Sequence, residues 1–438
     1  QIIQFFRFFT LEETTGSRGT YSEHIQPLLQ SHYTFDPEYL AEAQGMLDGI
    51  AASGVDSFIP ELGRRLQRAD ILYLNDYGLY PQNGHATDGV GPVPVSASPT
   101  LRQPLNVAQA HTRRGASACT QFALWGNSTA GSDVGGGMIA GRNMDGENDL
   151  RRLTVSNLMI FAVEPADGLR FVHFFWPGFI GSASGANEKG VYFMMNDGQS
   201  NPSAELASNV SSLTWAQRAV LSSAHSVRDI PAILSRFEAR VNSTGRGGVC
   251  GSGCNLFAVG PASSTGGRPG DGRDGSGAPA FVYEGDRFGG VYRRPGDYPE
   301  PHRALDSPSE RIMATNHFLR YGYDAQHPLD NFGYQVYFSS LWRYEAGKNK
   351  LNAWSQLGSR QRQGKLGTQQ MIELLQTVTH GTTEHSVIWY PEQRVFRLAV
   401  ASPAGPGWHA PYESWTVLAF DDLFRADSAA DQGQRLHV

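Results

Sequence analysis

The sequence predicts an α+β protein of packed mixed layers. Strand-like segments come first after Cys119, helical ones follow, and strands then resume, without the regular alternation that a doubly wound parallel sheet requires. Upstream of Cys119, apolar residues instead recur at helical spacing. Between these two textures lie residues 77–114, rich in Gly, Pro, Ser, Thr and Asn, which read as a long surface connection.

Taken in order, Asp36 reads as an N-cap, and Leu40, Ala43, Leu47, Ile50 and Ala51 form the stripe of a helix lying on a core up to Ser53. A second helical pattern runs from Phe58 to Gln67 into the apolar run Ile71 to Leu74. After Cys119, strands are expected at Thr120–Trp125, Met138–Asn143, Leu158–Val163, Phe171–Trp176 and Val191–Met195, separated by Gly, Asp and Asn turns. Helices follow at Leu213–Ala224 and Val227–Arg240, the second with Pro231 in its first turn, where proline is tolerated. Strands return at Leu256–Val259 and Phe281–Glu284, on either side of a flexible insertion at 263–279 made almost entirely of Gly, Ser, Asp, Arg and Pro. The last third holds a helix at Thr368–Thr379, strands Val387–Tyr390 and Val395–Val400 across a Pro391-Glu392-Gln393 turn, and a final strand Trp415–Phe420. No internal repeat stands out.

Composition narrows the function classes. Basic and acidic side chains number 36 and 42, the net charge is only -6, and no dense Lys/Arg run occurs, so nucleic acid is not an expected partner. No apolar stretch is long enough for a transmembrane segment. Fifty glycines, 24 prolines and few lysines fit a secreted, periplasmic or lumenal protein, with a cytoplasmic one as the alternative. The start at Gln1 fits removal of a targeting peptide or a tag, and the sequons at Asn127, Asn209 and Asn242 would matter only in a secretory eukaryotic host. Of three cysteines, Cys250 and Cys254 are spaced for a small disulfide loop, which would leave Cys119 free; two buried thiols in a glycine turn is the competing reading. A metal site would need four ligands, and no second cysteine pair or adjacent histidine pair is present. No cofactor is expected.

The chemistry concentrates at Cys119, which opens Cys119-Thr120-Gln121-Phe122-Ala123-Leu124-Trp125-Gly126 and leads through a Gly-rich turn to Gly141-Arg142-Asn143-Met144-Asp145. A thiol attacks a carbonyl near neutral pH only if something takes its proton, and this segment holds no histidine. A chain cut just before Cys119 would supply its own base, an α-amine with a pKa of about 8. Each residue also has a plainer reading. A lone cysteine before a strand is usually a small buried hydrophobe. Gly-Arg-Asn-X-Asp can be a turn with a surface ion pair. Asn316 beside His317 can be a satisfied polar pair, and His380 and His385 flank a glycine-threonine turn. The run Gly181-Ser182-Ala183-Ser184-Gly185 has the wrong spacing for a serine nucleophile elbow.

The stretch Ser117–Asp145 resembles the start of the mature chain in cysteine-type N-terminal nucleophile hydrolases, the group of penicillin V acylases, choloylglycine hydrolases, acid ceramidases, phospholipase B-like proteins and isopenicillin N acyltransferases. Gly178-Phe179-Ile180-Gly181 with Gly185-Ala186-Asn187-Glu188-Lys189-Gly190-Val191 resembles their next strand pair, and Met313-Ala314-Thr315-Asn316-His317-Phe318 their later asparagine motif. Upstream, Gly45–Ala51 and Ile71–Asn75 resemble the propeptide of the acyltransferase branch.

The resemblance implies a four-layer αββα sandwich over residues 119–438 and a mainly helical propeptide or small subunit over 1–118. It implies Cys119 as nucleophile, Arg142 as its partner, Asp145 as the carboxylate that orients the new amine, Asn316 and Asn196 as oxyanion donors, and Arg343 as the late arginine. The run from Asn187 to Asn196 is one residue shorter than in the bile-salt enzymes, and in a strand one residue changes the face.

The implied activity is a self-processing amidohydrolase or acyltransferase that cleaves a linear amide of a small N-acyl or lipid-like substrate through an acyl-cysteine. Its cleaved subunits would remain associated, and a homo-oligomer is compatible. The alternatives are a phospholipase B-like lipid deacylase and, from another class, a binding protein with a degenerate site on the same scaffold. Bile salts, penicillins, acyl-homoserine lactones, fatty amides, isopenicillin and peptides are all open as substrates.

Overall fold

The computed structural model describes residues 1–14, 19, 21–76, 119–146, 151–198, 201, 203, 205–241, 243, 245–251, 253–262, 278–297, 310–323, 326–327, 329–336, 338–361, 366–403 and 409–425. The expected connection at 77–114 and nearly all of the expected insertion at 263–279 lie outside them.

The N-terminal part is helical. It begins with one α-helical turn over Ile2–Gln4 that widens into a π-helix over Phe5–Thr14, then carries helices α1 (Gln26–His32), α2 (Pro37–Ala52) and α3 (Arg68–Asn75). Asp36 caps α2 as its sequence predicts, its carboxylate accepting from the Glu38 amide at 2.9 Å. The expected helix at Phe58–Gln67 is instead a short hairpin, β1 (Phe58–Ile59) with β2 (Arg64–Arg65). Pro60 brings no N–H to a helical ladder, and Gly63, at φ +63°, turns the chain back. The apolar run that follows belongs to α3, whose start is closed by Asp70 accepting from the Gln67 amide at 2.7 Å.

Among the described residues, two antiparallel sheets form the centre of the molecule. Six strands run in the order β12 (Arg311–Ala314), β3 (Cys119–Leu124), β4 (Ile139–Asp145), β15 (Thr383–Tyr390), β16 (Val395–Val400), β17 (Thr416–Ala419). Seven run in the order β11 (Gly289–Arg293), β10 (Ala280–Asp286), β9 (Gly253–Val259), β8 (Tyr192–Gly198), β7 (Ser184–Asn187), β6 (Phe171–Phe175), β5 (Met159–Val163). The numbering leaves β13 (Asp330–Asn331) and β14 (Tyr334–Gln335) as a separate hairpin.

Side-chain alternation assigns the layers. Ala123, Ala140, Val387 and Trp389 of the smaller sheet pack against Val172, Tyr192, Met194 and Phe257 of the larger one. The far face of the larger sheet is covered by α4 (Leu213–Ser223) and α5 (Ile230–Leu234), through Leu213, Val220, Leu221, Ile230 and Leu234. The far face of the smaller sheet is covered by α6 (Phe338–Gln361) and α7 (Thr368–Thr377), through Tyr344, Leu351, Met371, Leu374 and Leu375. The order is therefore helix, sheet, sheet, helix, the expected four-layer sandwich.

Two departures have tertiary causes. The expected helix Val227–Arg240 breaks after Phe237, because Ala239 donates to Gly248 O at 3.0 Å and Arg240 to Ser208 O at 2.8 Å instead of continuing the ladder. Conversely, α6 was not anticipated, for it is polar and carries a glycine in its interior. Gly347 is needed there for close approach to the sheet: a Cβ would lie 3.0 Å from both the Phe122 ring and the Met313 methyl.

The N-terminal part packs against the sandwich. Its core of Phe6, Tyr21, Ile25, Tyr39, Ile71 and Leu72 also takes in Ile180 and Trp215, with Tyr39 stacked on Trp215 at 4.8 Å.

Candidate active site

Cys119 is the first residue of β3, buried between β12 and β4. Alternation along β3 places Cys119, Gln121 and Ala123 toward the other sheet, and Thr120 and Phe122 toward α6. The thiol lies 3.6 Å from the Met144 sulfur and 3.5 Å from Nη2 of Arg142, which also donates to Met195 O at 2.8 Å. Burial pushes the thiol up from its ordinary range, and the Arg142 charge pulls against that shift.

The Cys119 backbone is held on every polar side. Its amide N–H donates to Asn316 Oδ1 at 2.9 Å. Its carbonyl accepts from Arg343 Nη1 at 2.5 Å and, more distantly, from Asn196 Nδ2 at 3.4 Å. The Arg343 guanidinium spans three partners, adding Thr120 Oγ1 at 2.7 Å and, through Nη2, Asn316 Oδ1 at 2.7 Å. This is the fixed fork that a lysine cannot reproduce. Arg343 and Ser340 both lie on the opening turns of α6, and Ser340 Oγ accepts from the Asn316 amide at 2.8 Å. One helix therefore sets both the loop that carries Asn316 and the start of β3.

Asp145 ends β4 one residue beyond Met144, the register partner of Cys119, and pairs with Thr383 of β15. Oδ1 accepts from the Thr383 hydroxyl, whereas Oδ2 is buried without a hydrogen-bond partner. Burial raises this carboxyl to about 6, against the opposing pull of Arg343, the Thr383 bond and Arg142. An unsatisfied carboxylate oxygen at this place is a ready acceptor for a cation.

All six residues singled out by sequence, Cys119, Arg142, Asp145, Asn196, Asn316 and Arg343, thus fall in one buried constellation. Asn196 shares the inter-sheet face of Tyr192 and Met194, so its strand register presents it to β3. The carboxamides of the two asparagines are not idle donors here: Asn316 Nδ2 donates to Asp197 O at 2.8 Å, and Asn196 Nδ2 to Thr315 O at 3.0 Å. His317 is a polar partner of its neighbours, with Nδ1 2.8 Å from Ser340 Oγ and 3.0 Å from Thr315 Oγ1. Sequence reasoning missed Thr383, Ser340 and Thr120, single hydroxyls that no local motif marks. Cys250 and Cys254 are joined as a disulfide with Cα atoms 6.0 Å apart, and Cys119 is the free thiol. Among the described residues no group of His, Cys, Asp and Glu is arranged to hold a metal ion, and no helix is long and apolar enough to cross a membrane.

An αββα sandwich with a cysteine opening a central strand is the arrangement of cysteine-type N-terminal nucleophile hydrolases, which this chain resembles. No protein-family model and no curated protein sequence matches the chain. Among solved structures it is similar to an N-acylethanolamine-hydrolyzing acid amidase ortholog of Caenorhabditis elegans, at 15% identity over 62% of this chain and 93% of that one, TM-score 0.38. It is similar to a mutant conjugated bile acid hydrolase of Clostridium perfringens, at 10% identity over 69% and 93%, TM-score 0.40. A penicillin V acylase of Agrobacterium tumefaciens aligns at 13% identity over 65% and 83%, TM-score 0.33. The layer order given above rests on this chain's own packing.

Proposed function

We propose that this chain is the precursor of an N-terminal cysteine amidohydrolase or acyltransferase that acts on a linear amide of an N-acyl substrate. The observation that carries the reading is the surroundings of Cys119: a strand-opening thiol beside a guanidinium, its backbone nitrogen fixed by Asn316, and a carboxylate oxygen of Asp145 without a partner.

In the precursor the thiol adds to the Ala118 carbonyl and the C–N bond to Cys119 breaks, leaving a thioester and a free α-amine. Water then hydrolyses the thioester, leaving residues 1–118 ending in a carboxylic acid and restoring the thiol. The new ammonium donates to Asp145 Oδ2, and in its neutral form the amine takes the thiol proton during turnover. Sγ adds to the substrate carbonyl, and the Asn196 amide donor meets the oxyanion once it gives up its hydrogen bonds to protein carbonyls. One such donor is typically worth about 10²- to 10³-fold in rate. The ammonium returns its proton to the leaving amine. Water resolves the acyl-cysteine in a hydrolase, a second amine in an acyltransferase.

The test is intact-mass analysis of the active protein, quenched in acid after exposure to a panel of fatty amides, conjugated bile acids, penicillins and acyl-homoserine lactones. The expected species is a fragment beginning at Cys119 that carries one acyl group. An active protein in which Cys119 remains internal, or an adduct on another residue, overturns the reading.

A further inference from the structure

The layer between the two sheets changes character along its length. Away from Cys119 it is apolar, with Ala123, Ala140 and Trp389 level with one another across β3, β4 and β15. Toward Cys119 the same face carries Gln121 on β3, Arg142 on β4, His385 on β15, Asn196 on β8 and the hydroxyls of Tyr192 and Ser184, all buried. Gln121 stands directly opposite Arg142 in the β3–β4 register, so their side chains leave the sheet side by side.

Few of these groups are satisfied. Both carboxamide atoms of Gln121, Nε of Arg142, Nε2 of His385 and Oδ1 of Asn196 have no hydrogen-bond partner, and the Tyr192 and Ser184 hydroxyls approach one another without bonding geometry. A buried polar group left unpaired is destabilising, so this many in one layer need a ligand. The set mixes donors with acceptors. The Gln121 and Asn196 oxygens would repel an anion, and the Arg142 charge would repel a cation. Water is the ligand that serves both kinds, each buried molecule making roughly three hydrogen bonds.

We propose that the inter-sheet layer directly behind Cys119 is a water-binding site, and that Gln121, through this water, is a positioning residue for the Arg142 guanidinium. Nη2 of Arg142 is already anchored on Met195 O at 2.8 Å and reaches the thiol at 3.5 Å. Water shared by Gln121 and Nε anchors the other edge, so the charge is held against Sγ from two sides. Asp145, Asp197 and Arg343 are the other charged groups that act on the thiol, and none of them lies on this face of β3 or β4.

The test is Gln121→Met, which keeps the chain length of the side chain and removes both polar atoms. Cys119 is the single free thiol, so its ionisation is read directly from thiolate absorbance against pH, with Cys119→Ala as the blank. The expected result is a thiol midpoint raised by about one pH unit, because the opposing charge is no longer held in place. A crystal structure of the unsubstituted protein is expected to show ordered water bonded to both Gln121 and Arg142 Nε. A Gln121→Met thiol that titrates at the unsubstituted pH, or a dry layer in the crystal, overturns the proposal. Should Gln121→Met fail to fold, Tyr192→Phe removes one hydroxyl from the same site: loss of ordered water there supports the proposal, and an unchanged dry layer rejects it. Neither readout requires acyl transfer or a cut before Cys119, so failure here and failure of the proposed function are separable.

Discussion

Cys119 sits where three demands meet: a rigid strand start, a neighbouring cation and a backbone nitrogen that is already gripped. Replacing it tests which of these serve chemistry. Cys119→Ser is expected to retain more self-cleavage than Cys119→Ala, since a hydroxyl can still attack the preceding carbonyl and a methyl cannot. Both are expected to lose most acyl transfer. Gel analysis of processing and turnover measured on the same samples separates the two steps, and Cys119→Ala hydrolysing acyl amides at the unsubstituted rate would exclude the thiol. Asp145→Asn keeps the shape and the Thr383 contact but removes the charge offered to an ammonium. It is expected to slow turnover by about 10²-fold, the scale of one lost electrostatic contact in a closed site. An unchanged rate would remove Asp145 from the mechanism.

At the level of elements, α3 is the clasp between the N-terminal part and the sandwich. The Asn75 carboxamide at its end accepts from the Ile180 amide at 2.5 Å and the Gly181 amide at 3.1 Å, and donates to Gly178 O at 2.8 Å. Thr214 Oγ1 on α4 donates to Asn75 O at 2.8 Å. Asn75→Ala strands several buried backbone groups together and is expected to cost about 3 kcal/mol in chemical denaturation. Asp76, the next residue, is buried with neither carboxylate oxygen in a hydrogen bond of normal geometry, and desolvation raises it from 3.8 to about 8. The docked state therefore holds the proton more tightly than the unfolded chain does. Its stabilising contribution is full below 3.8, falls as pH rises and is gone above about 8. Asp76→Asn cannot ionise, so its melting temperature relative to the unsubstituted protein is expected to climb between pH 5 and pH 8. A constant difference across that range would show that Asp76 is not buried as a carboxyl.

For the whole molecule, the prediction concerns what happens after a cut before Cys119. Phe5 and Leu74 belong to the same apolar core as Phe175, Trp176 and Phe179, and Phe5 stacks on Trp176 at 6.0 Å. Losing that surface to water would cost far more than the cut releases. Residues 1–118 and 119–438 are expected to co-elute on native gel filtration and to separate only in denaturant. Release of the N-terminal fragment under native conditions would contradict this packing.

Much of this protein was legible in its sequence, for physical reasons that differ by element. Period-two apolar runs bounded by turn residues are a local signal, so β3, β4, β6, β8, β15 and β16 were expected close to where they form. Asp36 announced α2 because a cap acts within its own turn. The ordered motifs from Cys119 to Arg343 singled out six residues that the fold brings into one buried constellation. Wherever distant partners outweigh local preference, the sequence was silent. Ser208 and Gly248 take the backbone of 239–240 and stop a helix, and Gly347 weakens α6 as a sequence pattern while allowing it to lie against Phe122. Thr383 reaches Asp145 from across the chain, Ser340 holds the Asn316 loop, and Gln121 meets Arg142 only through strand register. The sequence by itself determined which groups are available to react. Only the tertiary structure decided which of them touch, because hydrogen bonding and burial depend on distance in space and hardly at all on distance along the chain.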